Sequence, residues 1–183
     1  ILKTLLSLST QQFNEKVSSV GPGSGGVITL PFFNGERTPN LPRAKGCIVG
    51  LDSHNATPEN LLRSAMEGAT FALKLGCDRL NSLGVVTEEI VLTGGGAKSE
   101  AWSQAVADIF NRTVMVLDQS ESAAVGAAIQ AHSAFTGTPV ENWISDQFFL
   151  ESNFCEPVDK GVKRYSDIFN SYQLAVESFM SLY

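Results

Sequence analysis

The stretch Ile90-Val91-Leu92-Thr93-Gly94-Gly95-Gly96-Ala97-Lys98-Ser99 constrains the fold of this chain more than any other. A short apolar run without alternation marks a strand covered on both faces. Three glycines end it, and Trp102, Ala105, Val106, Ile109 and Phe110 then recur at helical spacing, so a helix is predicted to begin near Ser99. Glycine lets the backbone take positive φ and lets a ligand approach closely. The helix start presents unpaired N–H groups and the positive end of a dipole, which suits phosphate. Neither standard phosphate signature is met: Ala97 precedes Lys98 where a P-loop needs glycine, and Ser99 stands where the dinucleotide pattern needs glycine. Taken alone, the segment is either a ligand-binding turn or a tight strand-to-helix turn.

The neighbouring pattern supplies context. Thr57-Pro58-Glu59 is a helix start, with Thr57 as N-cap and Pro58 at the first helical position. Leu62, Met66, Ala69 and Leu73 predict one buried face of a helix reaching about Asn81 or Leu83. Val114–Leu117 reads as a second buried strand, and Ser120 as the cap of an alanine-rich helix ending near Phe135. Its small residues, Ala123 to Ala131, suit close packing. From Thr57 to Phe135 the order is helix, strand, helix, strand, helix, which predicts an α/β domain with a parallel sheet. Upstream, Ser9 or Thr10 caps a helix through Val17, Gly21–Gly26 reads as a mobile break, and Val27–Phe32 and Gly46–Leu51 read as strands around a turn at Gly35–Pro39. After Pro139 the pattern weakens until a last helix from Val158 to Leu182, with Val162, Tyr165, Phe169, Tyr172 and Val176 on one face.

Composition excludes some classes. A net charge of −6 argues against a nucleic-acid groove. No apolar run approaches the roughly 20 residues of a membrane helix. The chain opens on Ile1-Leu2-Lys3 without a signal-peptide layout, and reads as starting inside a longer, cytoplasmic protein. Cys47, Cys77 and Cys155 are too far apart for a zinc pattern and read as free thiols. Asp52, Asp108 and Asp118 read as turn or surface carboxylates. His54 and His132 stand without a nucleophile or metal partner at a recognisable spacing.

Three ordered segments resemble the C-terminal half of the FGGY carbohydrate kinases. The first is Leu30–Pro39, whose Gly-Glu-Arg-Thr-Pro is similar to xylulokinases in particular. The second is Gly46–Leu51 followed by Asn60-Leu61-Leu62-Arg63-Ser64-Ala65-Met66-Glu67-Gly68. The third is Thr93–Ser99 with Trp102, then Glu121-Ser122-Ala123-Ala124-Val125-Gly126-Ala127-Ala128.

The resemblance implies an actin/hexokinase-like (ribonuclease H-like) ATPase domain with a sheet and packed helices. Residues 27–137 would form the ATP-binding domain, 1–26 a lead-in from an upstream region, and 138–183 a linker and tail helix. It implies ATP and Mg²⁺ as cofactors and a sugar substrate, most closely D-xylulose, with ribulose, gluconate or glycerol as alternatives. A non-catalytic interaction domain is the rival from another class. The resemblance places Gly94, Gly95, Gly96, Ala97 and Ser99 against the adenosine and α-phosphate, with Asn55 and Glu59 bordering the adenine. Glu36 and Arg37 would lie near an interdomain hinge or form a salt-bridged turn. The family's catalytic Asp, its outer-phosphate turn and most sugar contacts belong to a segment upstream of these, so the expectation is that this chain carries no catalytic residue. Partners are then ATP or ADP and a sugar held mainly by an N-terminal domain, with no nucleic acid and no membrane; a homodimer is compatible with the sequence.

Overall fold

A computed structural model describes residues 2–117, 121–143 and 152–182. After α1 (Leu2–Leu5), α2 (Thr10–Ser18) starts at a capping box. The Ser9 hydroxyl accepts from the Gln12 N–H at 3.1 Å, and the Gln12 side chain accepts from the Ser9 N–H at 2.9 Å. The glycine-rich segment that follows is a packed turn rather than a mobile break. Gly23 N–H donates to Glu67 Oε1 at 3.0 Å, and the buried Ser24 hydroxyl donates to Glu67 Oε2 at 2.8 Å.

Strand β1 (Ile28–Leu30) pairs antiparallel with β2 (Cys47–Val49), Ile28 opposite Val49. Helix α3 (Pro58–Ser82) is capped by Thr57, whose hydroxyl accepts from the Asn60 N–H at 3.2 Å. It lies directly on β1. Gly68 is what permits this, since a Cβ there would run into the Thr29 carbonyl oxygen. Of the predicted stripe Leu62 and Met66 are buried and Ala69 is half-buried, but Leu73 is 67% exposed, so the stripe ends earlier than predicted, while Phe71, outside that spacing, is buried. The helix continues beyond the elements that cover its first half.

The second sheet has the order β3-β4-β5. Strand β3 (Ile90–Leu92) and β4 (Val114–Leu117) are parallel, Ile90 opposite Val114. Strand β5 (Ser152–Cys155) adds antiparallel to β4, so the sheet is mixed, not wholly parallel. Helix α4 (Glu100–Phe110) covers it through Val106 and Ala107, which pack with Val114, Ile90, Leu92 and Val116. Full coverage of both faces was expected, yet Val91 is 46% exposed. A three-residue strand of apolar side chains cannot show whether its second face is buried. Helix α5 (Ser122–Thr136) contributes no buried residue; its expected cap, Ser120, lies outside the described residues, as does Asp118.

The main core joins the beginning, middle and end of the chain. Val17, Leu30, Phe32, Met66 and Phe71 pack with Tyr165, Tyr172, Val176 and Phe179 of α6 (Asp159–Met180). The Phe71 ring lies 5.2 Å from Tyr172 and 6.0 Å, edge-on, from Tyr165. Asp108 is not a surface carboxylate. It is 5% exposed and accepts from the Val158 N–H at 2.8 Å and from Gln104 Nε2 at 2.9 Å, which anchors the start of α6 to α4. Asp52 does hold a turn, accepting from the N–H groups of His54 and Asn55. No described helix is long and apolar enough to cross a membrane.

Candidate functional site

The glycine run separates into distinct roles. Gly94 has φ 86° and ψ −166°, a region essentially restricted to glycine, so the backbone requirement sits there and not at Gly95 or Gly96. Gly95–Lys98 then form one 3-10 turn, in which Ala97 N–H bonds to the Gly94 carbonyl at 3.1 Å. A Cβ on Gly96 would meet the Trp102 ring at 3.4 Å, an ordinary van der Waals contact, so this glycine lies against the indole. A Cβ on Gly95 would meet nothing within 4 Å, because Gly95 faces a cavity.

Ser99 occupies the N-cap position of α4, but its side chain makes no cap bond. Its hydroxyl is buried, 4% exposed at the residue level, and has no hydrogen-bond partner among the described residues. Such a group costs stability unless something bonds to it. Ser99 lines the same cavity as Gly95.

That cavity measures about 670 Å³, within the range of small-molecule sites. Helix α2 supplies Phe13 and Asn14, α3 supplies Leu62, Ala65 and Met66, and the turn with α4 supplies Gly95, Lys98, Ser99 and Trp102. Glu121 borders it just before α5. The Trp102 ring is held in place by its Nε1–H, which donates to the Thr70 hydroxyl at 3.1 Å. Apolar walls with a few polar groups suit a flat, partly polar ring system, with charge left towards the turn and Lys98.

Of the residues expected at the nucleotide, Gly95 and Ser99 share this wall, while Gly94, Gly96 and Ala97 shape the turn behind it. Asn55 and Glu59 are placed elsewhere. The Asn55 amide donates to the carbonyls of Gly25 and Gly50 at 3.1 and 2.8 Å, and its oxygen accepts from the Asp52 N–H, so it fastens two loops together. Glu59 pairs with Lys16 at 2.5 Å, and that bond holds its carboxyl below the usual carboxylate range. Glu36 does not pair with the Arg37 guanidinium; its carboxylate accepts from the N–H groups of Arg37 and Thr38 at 2.7 and 3.2 Å.

The sequence reading missed Phe13 and Asn14 as wall residues, since nothing local links α2 to a turn some eighty residues later. It also passed over the role of Arg63 and Glu67. Glu67 accepts from Arg63, Tyr165, Gly23 and Ser24 inside the protein. Buried polar residues within a helical stripe were the available signal.

Residues 4–135 match the model of the C-terminal domain of the FGGY family of carbohydrate kinases. A xylulose kinase of Haemophilus influenzae is 41% identical over 182 residues, covering 98% of this chain and 35% of that protein. A xylulose kinase of Bacillus subtilis is 33% identical, covering 90% of this chain and 33% of the relative. The chain thus spans about a third of the length of these curated relatives. The crystal structure of a xyloylose kinase from Brucella ovis superposes with a TM-score of 0.80 at 25% identity, over 100% of this chain and 38% of that one. The fold is accordingly that of the actin/hexokinase-like sugar kinases, and the chain belongs to the FGGY family of carbohydrate kinases.

Proposed function

We propose that this chain forms the nucleotide side of the cleft in an ATP-dependent kinase that transfers the γ-phosphate to a ketose hydroxyl, D-xylulose to xylulose 5-phosphate. The observation that carries the reading is the cavity in which Gly95 and the unpaired Ser99 hydroxyl meet the apolar walls of α2 and α3. In this reading the base lies on Phe13, Met66 and Trp102, and the phosphates leave past the glycine turn. Mg²⁺, when bound with the nucleotide, would supply charge neutralisation during transfer; among the described residues no cluster of three or more His, Cys, Asp or Glu side chains stands ready to hold it directly. Phosphoryl transfer depends on positioning and charge stabilisation, and a general base must reach the attacking hydroxyl. Neither the general base nor the sugar contacts are assigned to this chain.

Xylulose is favoured over other sugars because both relatives described above carry that name and because of the Gly35–Pro39 segment. The test is a comparison of kcat/KM for xylulose, ribulose, gluconate and glycerol with Mg-ATP in the full-length protein, beside the isolated chain. Preference for xylulose, with no sugar-dependent ADP release by the isolated chain, is expected. A gluconate or glycerol preference overturns the substrate, and turnover by the isolated chain overturns the division of labour.

A further inference from the structure

The cavity described above holds a second polar group without a partner besides Ser99. Asn14 lines it from α2, and its carboxamide makes no hydrogen bond among the described residues. The backbone that presents Asn14 is held firmly. Its helix begins at the Ser9–Gln12 capping box, Lys16 is tied to Glu59, and the buried Arg63 donates to the carbonyls of Val17 and Val20 at 2.9 and 2.7 Å. The buried Ser99 hydroxyl and the half-buried Asn14 carboxamide reach a mostly apolar cavity from two different walls, with Lys98 and Glu121 also on its lining, and they define what fits between them. The occupant needs a flat apolar body with hydrogen-bonding atoms at its edges.

We infer that Asn14 selects the base of the bound nucleotide, its carboxamide pairing with the exocyclic amine and N7 of adenine. The inference rests on the nucleotide reading proposed above. A carboxamide carries one acceptor oxygen beside one donor nitrogen. Adenine presents a donor amine beside the acceptor N7, so both bonds form at once. Guanine presents two acceptors, O6 and N7, on the same edge, so one of them faces the carboxamide oxygen. The Ser99 hydroxyl is then free to bond the opposite edge of the ring.

The test is calorimetric binding of ATP, GTP and 7-deaza-ATP to the full-length protein and to its Asn14→Ala, Asn14→Ser and Gly95→Val variants, with melting temperatures alongside. The wild type is expected to bind ATP about tenfold to a hundredfold more tightly than GTP or 7-deaza-ATP, the size of one bidentate base contact. In folded Asn14→Ala and Asn14→Ser proteins these ratios are expected to collapse towards one. If Gly95→Val abolishes ATP binding but the Asn14 variants keep the wild-type ratios, this inference fails alone. If the wild type does not bind ATP, or Gly95→Val leaves its affinity unchanged, the nucleotide reading fails and takes this inference with it.

Discussion

Arg63 and Glu67 form an ion pair one turn apart on α3, Nε to Oε1 2.9 Å, with side chains only 8% and 3% exposed. Every partner is close at hand. The Tyr165 hydroxyl donates to Glu67 Oε1 at 2.8 Å, Gly23 and Ser24 bind the same carboxylate, and Arg63 caps the carbonyls at the end of α2. One charged pair therefore ties α2, the glycine-rich turn, α3 and the tail helix together.

Removing one partner leaves a buried charge alone. Glu67→Ala is expected to lower the unfolding free energy by about 3–5 kcal/mol, read as a fall in the urea midpoint. Because Arg63 and Glu67 share one network, Arg63→Met with Glu67→Leu is expected to cost less than the two single changes added together. Strict additivity would show that the pair is not coupled.

Two glycines of α3 are expected to respond oppositely to alanine. At Gly68 a Cβ meets the Thr29 carbonyl oxygen, and separating α3 from β1 is expected to cost about 1–3 kcal/mol. At Gly76 nothing lies within 4 Å, and alanine is expected to stabilise the helix by about 0.5–1 kcal/mol. Equal shifts in melting temperature would contradict this packing.

The glycine turn separates strain from ligand contact. Gly94→Ala forces a side chain into a glycine-only conformation, at about 1–3 kcal/mol, and is expected to lower the melting temperature. Gly95→Val fills open space in the cavity, so it is expected to leave the fold intact and raise KM for ATP about tenfold or more, with KM for sugar little changed. An unchanged KM for ATP in folded Gly95→Val would make the turn structural.

The Tyr172 hydroxyl is buried without a hydrogen-bond partner among the described residues. Burial first, and then the negative Glu36, push its pKa well above the ordinary 10.0. The folded state therefore holds this proton more tightly than the unfolded chain. That contribution is complete below pH 10.0, the unfolded value, and is lost as pH rises beyond it. Tyr172→Phe is expected to be neutral or to stabilise by about 1 kcal/mol at neutral pH, and to flatten the alkaline decline. Urea midpoints at about pH 8 and about pH 11 check both. A part of the decline remains, because burial and Glu67 raise Tyr165 as well.

Local chemistry determined what a contiguous stretch can carry. Ser9 and Thr57 cap their helices through neighbours three residues on. The turn at Gly94 breaks the strand because only glycine holds its backbone angles, and Ile90–Leu92 is a strand because short apolar runs bounded by glycine pair readily. The ordered motifs carry the family in the same way. Tertiary structure alone decided what depends on distant partners. It added β5 beside β4, since Ser152–Cys155 has little strand character until an edge is offered. It exposed Leu73, which the helical period alone would bury, and buried Asp108 beneath the start of α6. It gave Asn55 and Glu59 loop-fastening and ion-pair partners, and brought Phe13 and Asn14 to the wall that Gly95 and Ser99 complete. Periodicity reports which face of an element is apolar, but not which other element arrives to cover it, and a cavity is made of those arrivals.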